Sequence, residues 1–182
     1  AIQYCSKFIQ FLEAKQKLIE KKKDLNFYPS FTTINVGKIS GGTAVNIIPN
    51  NCKIEFEIRD IPKFNTEKFV NQIKNYLLIL EGEMKSFNKK CNISLSEQNN
   101  FPPLITNHNS NIISLCLEKL RTNSVNTVSF GTEAGIFNQI GFQTIVCGPG
   151  SIKQAHKPDE YIEIVQLKKC EDFLTKVIDY LY

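Results

Sequence analysis

Residues Cys147 to Glu160 read CGPGSIKQAHKPDE, a tight Gly-Pro-Gly turn leading to a histidine followed at once by Lys157, Pro158, Asp159 and Glu160. The chain has two histidines, so nearly all of its neutral nitrogen-ligand chemistry sits at His156. Neutral imidazole is the commonest protein ligand for zinc. The Gly148-Pro149-Gly150 turn allows backbone to approach a bound group closely. Glu160 stands where it can hold the second ring nitrogen, as carboxylates behind metal-bound histidines do. The plainer readings are a surface histidine and an exposed loop acid, and spacing alone leaves both open.

Thr132 and Glu133 lie in the segment FGTEAG, between an expected strand end and an expected helix start. Free backbone N–H groups at such a junction favour an anionic ligand. A simpler role, preferred on spacing alone, is that Thr132 caps the helix while Glu133 sits in its first turn. Asn46 and Arg59 form a third constellation. Asn46 follows Gly41-Gly42-Thr43 and precedes Ile47-Ile48-Pro49, and Arg59 ends the wet face of a strand. A guanidinium fork with an amide donor nearby suits a carboxylate. Taken alone, a turn asparagine and an arginine paired with Glu55 or Glu57 explain the same residues. A Cys–His nucleophile pair using Cys147 is weaker than a buried strand thiol. His108, in NHNS, reads as a neighbour of a helix cap. No GxSxG elbow and no phosphate-binding Gly-Lys loop occurs.

These residues must be positioned by ordinary elements. Of 182 residues, 42% are apolar and 22% charged, as in a soluble globular protein with a core built from Phe, Ile and Leu. The net charge of +4 comes largely from a run, Lys15 to Lys23, that also carries Glu20. A solvated helix face accounts for it, and two arginines in the whole chain argue against a nucleic-acid partner. Six dispersed cysteines without CxxC pairing suggest free thiols in a reducing compartment. With no signal peptide and no long apolar run, a cytoplasmic location and no membrane partner are expected.

Helical periodicity predicts a first helix from Ile2 to Lys23, strands at Thr32 to Ile39 and Cys52 to Asp60, a helix from Thr66 to Phe87, and a strand at Cys91 to Ser96. That order, α-β-β-α-β, is a split βαβ sandwich without its first strand. The polar, proline-containing stretch Glu97 to Thr106 marks a boundary, giving domains 1–98 and 99–182. The second part reads as a helix (Ser110 to Leu120), a strand (Thr127 to Phe130), a short helix (Glu133 to Gln139), a strand (Thr144 to Cys147) and a final helix (Ile164 to Tyr182), an α/β layout. Ile2, Cys5, Phe8, Ile9 and Leu12 are in helical register from the first residue with no preceding cap, so the chain is expected to be part of a longer protein.

The segments TTINVGKISGGTAVNIIPNNCKIEFEIRDIP and VSFGTEAGIFNQIGFQTIVCGPGSIKQAHKPDEYI together resemble the dinuclear-zinc amidohydrolases and peptidases. That group includes succinyl-diaminopimelate desuccinylase, aminoacylase and glutamate carboxypeptidase. GTEAG followed by GPGSI-x-QAHKPDE is most similar to the acetylornithine deacetylase branch. The resemblance runs over nearly the whole chain and covers only the C-terminal half of a family member. It implies a ferredoxin-like lid, used for homodimer formation, followed by the C-terminal part of an α/β zinc-hydrolase domain. It implies His156 as the last zinc ligand, Arg59 and Asn46 as grips for the substrate carboxylate, and Thr132 with Gly148 to Gly150 as substrate loops. Glu133 is assigned to the substrate ammonium from its charge. The general base, the bridging aspartate and the other ligands of two zinc ions, for which cobalt is an alternative, are expected outside this chain, so no catalytic residue is assigned within it. The expected reaction is hydrolysis of an N-acyl amino acid, foremost N-acetylornithine, with the 182-residue chain inactive alone. Another deacylase, a desuccinylase or a dipeptidase of the group, and a non-catalytic truncated dimerisation module, are the alternatives.

Overall fold

The computed structural model describes residues 1–128, 131–155 and 157–182. They form two compact units: Ala1–Pro103 with Thr127–Gly131, and Leu104–Asn126 with Thr132–Tyr182.

The first unit is a helix-on-sheet layer. Helix α1 (Ile2–Ile19) turns Phe8, Leu12 and Ile19 inward. The hairpin β1 (Thr33–Gly41) and β2 (Cys52–Arg59) is antiparallel, with Ile34 opposite Ile58 and Val36 opposite Phe56. Strict alternation in β2 sends Ile54, Phe56 and Ile58 toward the helices and Lys53, Glu55, Glu57 and Arg59 away. A bulge between Val36 and Lys38 takes up one extra residue, Gly37. Helix α2 (Thr66–Phe87) completes the layer with Phe69, Ile73, Leu77 and Leu80. Its start is fixed by Asn65, whose side chain accepts the Lys68 N–H at 2.8 Å. Phe8 meets Phe56 edge-to-face at 5.6 Å, and Phe11 stacks on Tyr76 at 4.1 Å, so helix and sheet aromatics interlock.

Three sequence expectations change in this unit. Helix α1 ends at Ile19, not Lys23. The Asp24 carboxylate accepts the backbone and side-chain N–H of Asn26, a local turn that competes with helix, and the Lys63 ammonium lies 2.9 Å from it. That cation first, then the Asn26 N–H, holds the Asp24 carboxyl below its usual range. β1 extends to Gly41, two residues beyond the expected Ile39. Residues 91–96 carry no strand: the Ile93 N–H is held by Glu81 at 3.3 Å and its side chain packs on the core, with no ladder beside it. The sheet among the described residues therefore has two strands, and a complete ferredoxin-like sheet is not seen.

The second unit is helical. It contains α3 (Asn111–Leu120), α4 (Ala134–Gln139) and α5 (Ile164–Leu181). The Lys119 ammonium sits 4.9 Å over the Tyr180 ring, tying α3 to α5. Expected strands at 127–130 and 144–147 are absent from the described part of those ranges, Ser129 and Phe130 lying outside it. Thr144 is held instead by the Thr106 hydroxyl, which donates to its carbonyl at 2.5 Å. No helix among the described residues is long and apolar enough to cross a membrane.

Candidate functional site

Arg59 is positioned by the alternation of β2, which places it on the polar face beside Glu57. Its Nε donates to one Glu57 oxygen at 3.1 Å and its terminal nitrogen approaches the other at 3.4 Å. The guanidinium is thus paired as the plainer sequence reading had it, in a pair whose side chains are 64% and 49% exposed. An exposed pair of this kind is worth only about 0–1 kcal/mol, so a stronger carboxylate ligand can replace Glu57 at small cost. The neighbouring carboxylate, Glu55, bridges Lys53 at 2.8 Å and Lys38 at 3.2 Å. Those two cations, Lys53 foremost, hold the Glu55 carboxyl below its ordinary range.

Asn46 is exposed on the loop that joins Gly41 to Cys52. The loop is shaped by a turn in which Ile47 N–H donates to the Ala44 carbonyl at 3.2 Å, and by Gly42 at φ +81°. Its base frames an open cavity of about 390 Å³ lined by Gly41, Gly42, Thr43, Ile47, Pro49 and Cys52 among others. Register separates this end of the hairpin from Arg59: Cys52 pairs with Gly41 and Arg59 with Thr33. Seven strand residues at about 3.3 Å each put the two ends roughly 23 Å apart. The structure does not bring Asn46 and Arg59 together on one carboxylate within a protomer, because a guanidinium and an amide at opposite ends of an eight-residue strand cannot converge.

In the second unit the Thr132 hydroxyl accepts the N–H of Ala134, the first residue of α4, at 3.1 Å, a local bond of the kind its plainer reading expects. Glu133 is exposed one residue later, and α4 itself has six residues. Gly148 has open space where a Cβ would stand. Gly150 adopts φ +88°, a conformation that favours glycine, and a Cβ there would lie 3.5 Å from the Ile162 side chain. Glu160 is exposed. His156, the expected metal ligand, lies outside the described residues. Among the described residues no three of His, Cys, Asp and Glu converge in a way that could hold a metal ion. They do not by themselves fit the expected pair of zinc ions.

Sequence reading missed a second open cavity of about 390 Å³ in this unit, lined by Thr106, Asn107, Ser110, Asn138 and Gln143 among others. Ser110, one of its lining residues, has a buried hydroxyl oxygen with no hydrogen-bond partner among the described residues. The residues lie far apart in the chain, and only the fold-back after α4 assembles them. The Phe142 N–H bonded to the Phe137 carbonyl at 3.1 Å, and the Ile112 N–H bonded to the Gln143 side chain at 3.3 Å, mark that fold-back.

Residues 1–83 match a peptidase dimerisation domain. The chain is 31% identical to an acetylornithine deacetylase of Myxococcus xanthus, over 98% of its own length and 46% of that protein's. It is 34% identical to an acetylornithine deacetylase of Buchnera aphidicola subsp. Acyrthosiphon pisum (strain Tuc7), over 91% of its length and 42% of that protein's. A Pasteurella multocida acetylornithine deacetylase is 29% identical over 92% and 42% respectively. The chain spans less than half the length of the curated relatives it matches.

Proposed function

We propose that this chain, whose residues 1–83 match a peptidase dimerisation domain, is the C-terminal portion of a metal-dependent amidohydrolase that converts N-acetylornithine and water to ornithine and acetate. One observation carries the reading. Similarity to acetylornithine deacetylases runs over 91% and 98% of the chain while spanning only 42% and 46% of theirs. Arg59 is the candidate for the α-carboxylate, its exposed pair with Glu57 being cheap to exchange. Asn46 stands apart from it and is proposed as a separate polar contact. Thr132, Glu133, Gly148 and Gly150 are proposed as further substrate contacts of the whole enzyme, Glu133 facing the ammonium. His156 is proposed as a zinc ligand with Glu160 behind it, the remaining ligands and the general base coming from outside these 182 residues. When bound, such metal ions polarise an amide carbonyl and lower the pKa of a water.

The test is the 182-residue chain assayed with N-acetylornithine, with and without added zinc. No ornithine above the blank is expected, because a lone ligand does not retain a catalytic metal. Sustained turnover by the chain would overturn the reading. In the enzyme of full relative length, His156→Ala is expected to lower bound metal and turnover together. Retention of both would remove His156 from the site. A panel of N-acetylornithine, N-succinyl-diaminopimelate and a dipeptide separates the branches of the group.

A second reading, a non-catalytic dimerisation module, is favoured by one observation: the matched residues 1–83 coincide with the part of the chain that holds its own buried core. Sedimentation of the chain distinguishes it, a stable dimer without bound metal supporting the module.

A further inference from the structure

The first turn of α1 is seated on the base of the Asn46 loop. The Ala1 backbone nitrogen lies 3.0 Å from the Pro49 carbonyl oxygen. A Cβ on Gly42 would lie 3.1 Å from the Ile2 side chain. The Cys5 thiol donates to the Cys52 carbonyl at 3.7 Å, across forty-seven residues of sequence. Cys52 is the first residue of β2, paired with Gly41, so this one residue closes both the hairpin and the loop. Both cysteines are free and half-buried. Partial burial, and then the Cys52 thiol acting on its neighbour, push the Cys5 thiol up to about 11. The Cys5 sulfur therefore lies against the backbone of the residue that carries the second thiol.

We propose that Cys5 and Cys52 are a vicinal thiol pair that closes to a disulfide, clamping α1 to the base of the 42–51 loop. The oxidant is a small-molecule disulfide such as oxidised glutathione. One protein thiolate attacks it, forming a mixed disulfide and releasing one glutathione. The second protein thiolate then attacks the protein sulfur of that mixed disulfide and releases the other. Two protein thiols lose two protons and two electrons, and one glutathione disulfide becomes two glutathione thiols. Oxidising conditions set this latch and thiols release it. Its closure immobilises the loop that carries Asn46, whatever that loop binds.

The test uses the 182-residue chain and oxidised glutathione, followed by tryptic mapping without reduction. Cleavage after Lys7, Lys38 and Lys53 places Cys5 alone in residues 1–7 and Cys52 alone in residues 39–53. The expected product is these two peptides joined, two hydrogens lighter than their sum, and separated again by dithiothreitol. Cys5→Ser and Cys52→Ser should each abolish the link and leave the other cysteine glutathionylated. Limited proteolysis within 42–51 should slow on oxidation of the wild-type chain and stay unchanged in Cys5→Ser. Mixed disulfides at both positions without a link, or Cys52 joined only between chains, would overturn the proposal.

Discussion

The two units bury their apolar residues very differently. In the first, α1 and α2 set Phe8, Leu12, Phe69, Ile73 and Leu80 against a hairpin whose inner face supplies Ile34, Val36, Ile54, Phe56 and Ile58. In the second, α5 has no buried residue, and Leu167, Leu174, Ile178 and Leu181 are about half exposed or more. All three helices are amphipathic in sequence, so amphipathicity alone does not make a core. A helix gains most of its stability from what its apolar face packs on. The first unit supplies that surface from within, whereas α5 displays a face with little to cover it.

The sharpest way to break this contrast is a pair of matched truncations. Leu12→Ala, at 1% exposure, should lower the stability of the first unit by about 2–5 kcal/mol. Leu174→Ala, at 53% exposure, should change the second by no more than about 0.5 kcal/mol. Hydrogen exchange resolved by segment is the suitable readout, since two units need not unfold together. Equal costs would show that α5 is buried after all. Next in size is Asn65→Ala, which removes the α2 cap and should cost about 1 kcal/mol, read as faster exchange in the first turns of α2 with α5 unaffected. A pH effect supplies a further test. The Cys5 value is raised from 9.0 to about 11 by folding, so its contribution is complete below pH 9 and is lost as pH rises through 11. The first unit should lose stability across that window relative to its Cys5→Ser variant, and parallel profiles would remove Cys5 from the account.

Much of the first unit was legible in its residues. The helix expected from Thr66 to Phe87 matches α2 at both ends, and the alternation from Lys53 to Arg59 gave β2 its two faces. What alternation cannot supply is a partner. Cys91 to Ser96 and Thr144 to Cys147 have strand-like side chains, yet a strand is defined by a ladder, and no described neighbour offers one. The candidate site divides in the same way. The plain roles of Thr132 and Arg59 followed from local chemistry, a hydroxyl two residues before a helix N–H and a guanidinium two residues from a carboxylate on the same strand face. The separation of Asn46 from Arg59 did not, because their spacing in sequence hides the length of the strand between them.

One side chain in α1 sets a rule for anything that would extend the sheet. Gln16 receives the Ile34 N–H on its Oε1 at 2.8 Å and donates its Nε2 to the Thr32 carbonyl at 3.3 Å, a side-chain amide imitating the peptide unit of an added strand. The first outward rungs of β1 are already occupied. A newcomer along that margin, including a second copy of this chain, must find its register on the outward groups from Val36 onward, which confines it to the half nearest the Cys5–Cys52 latch.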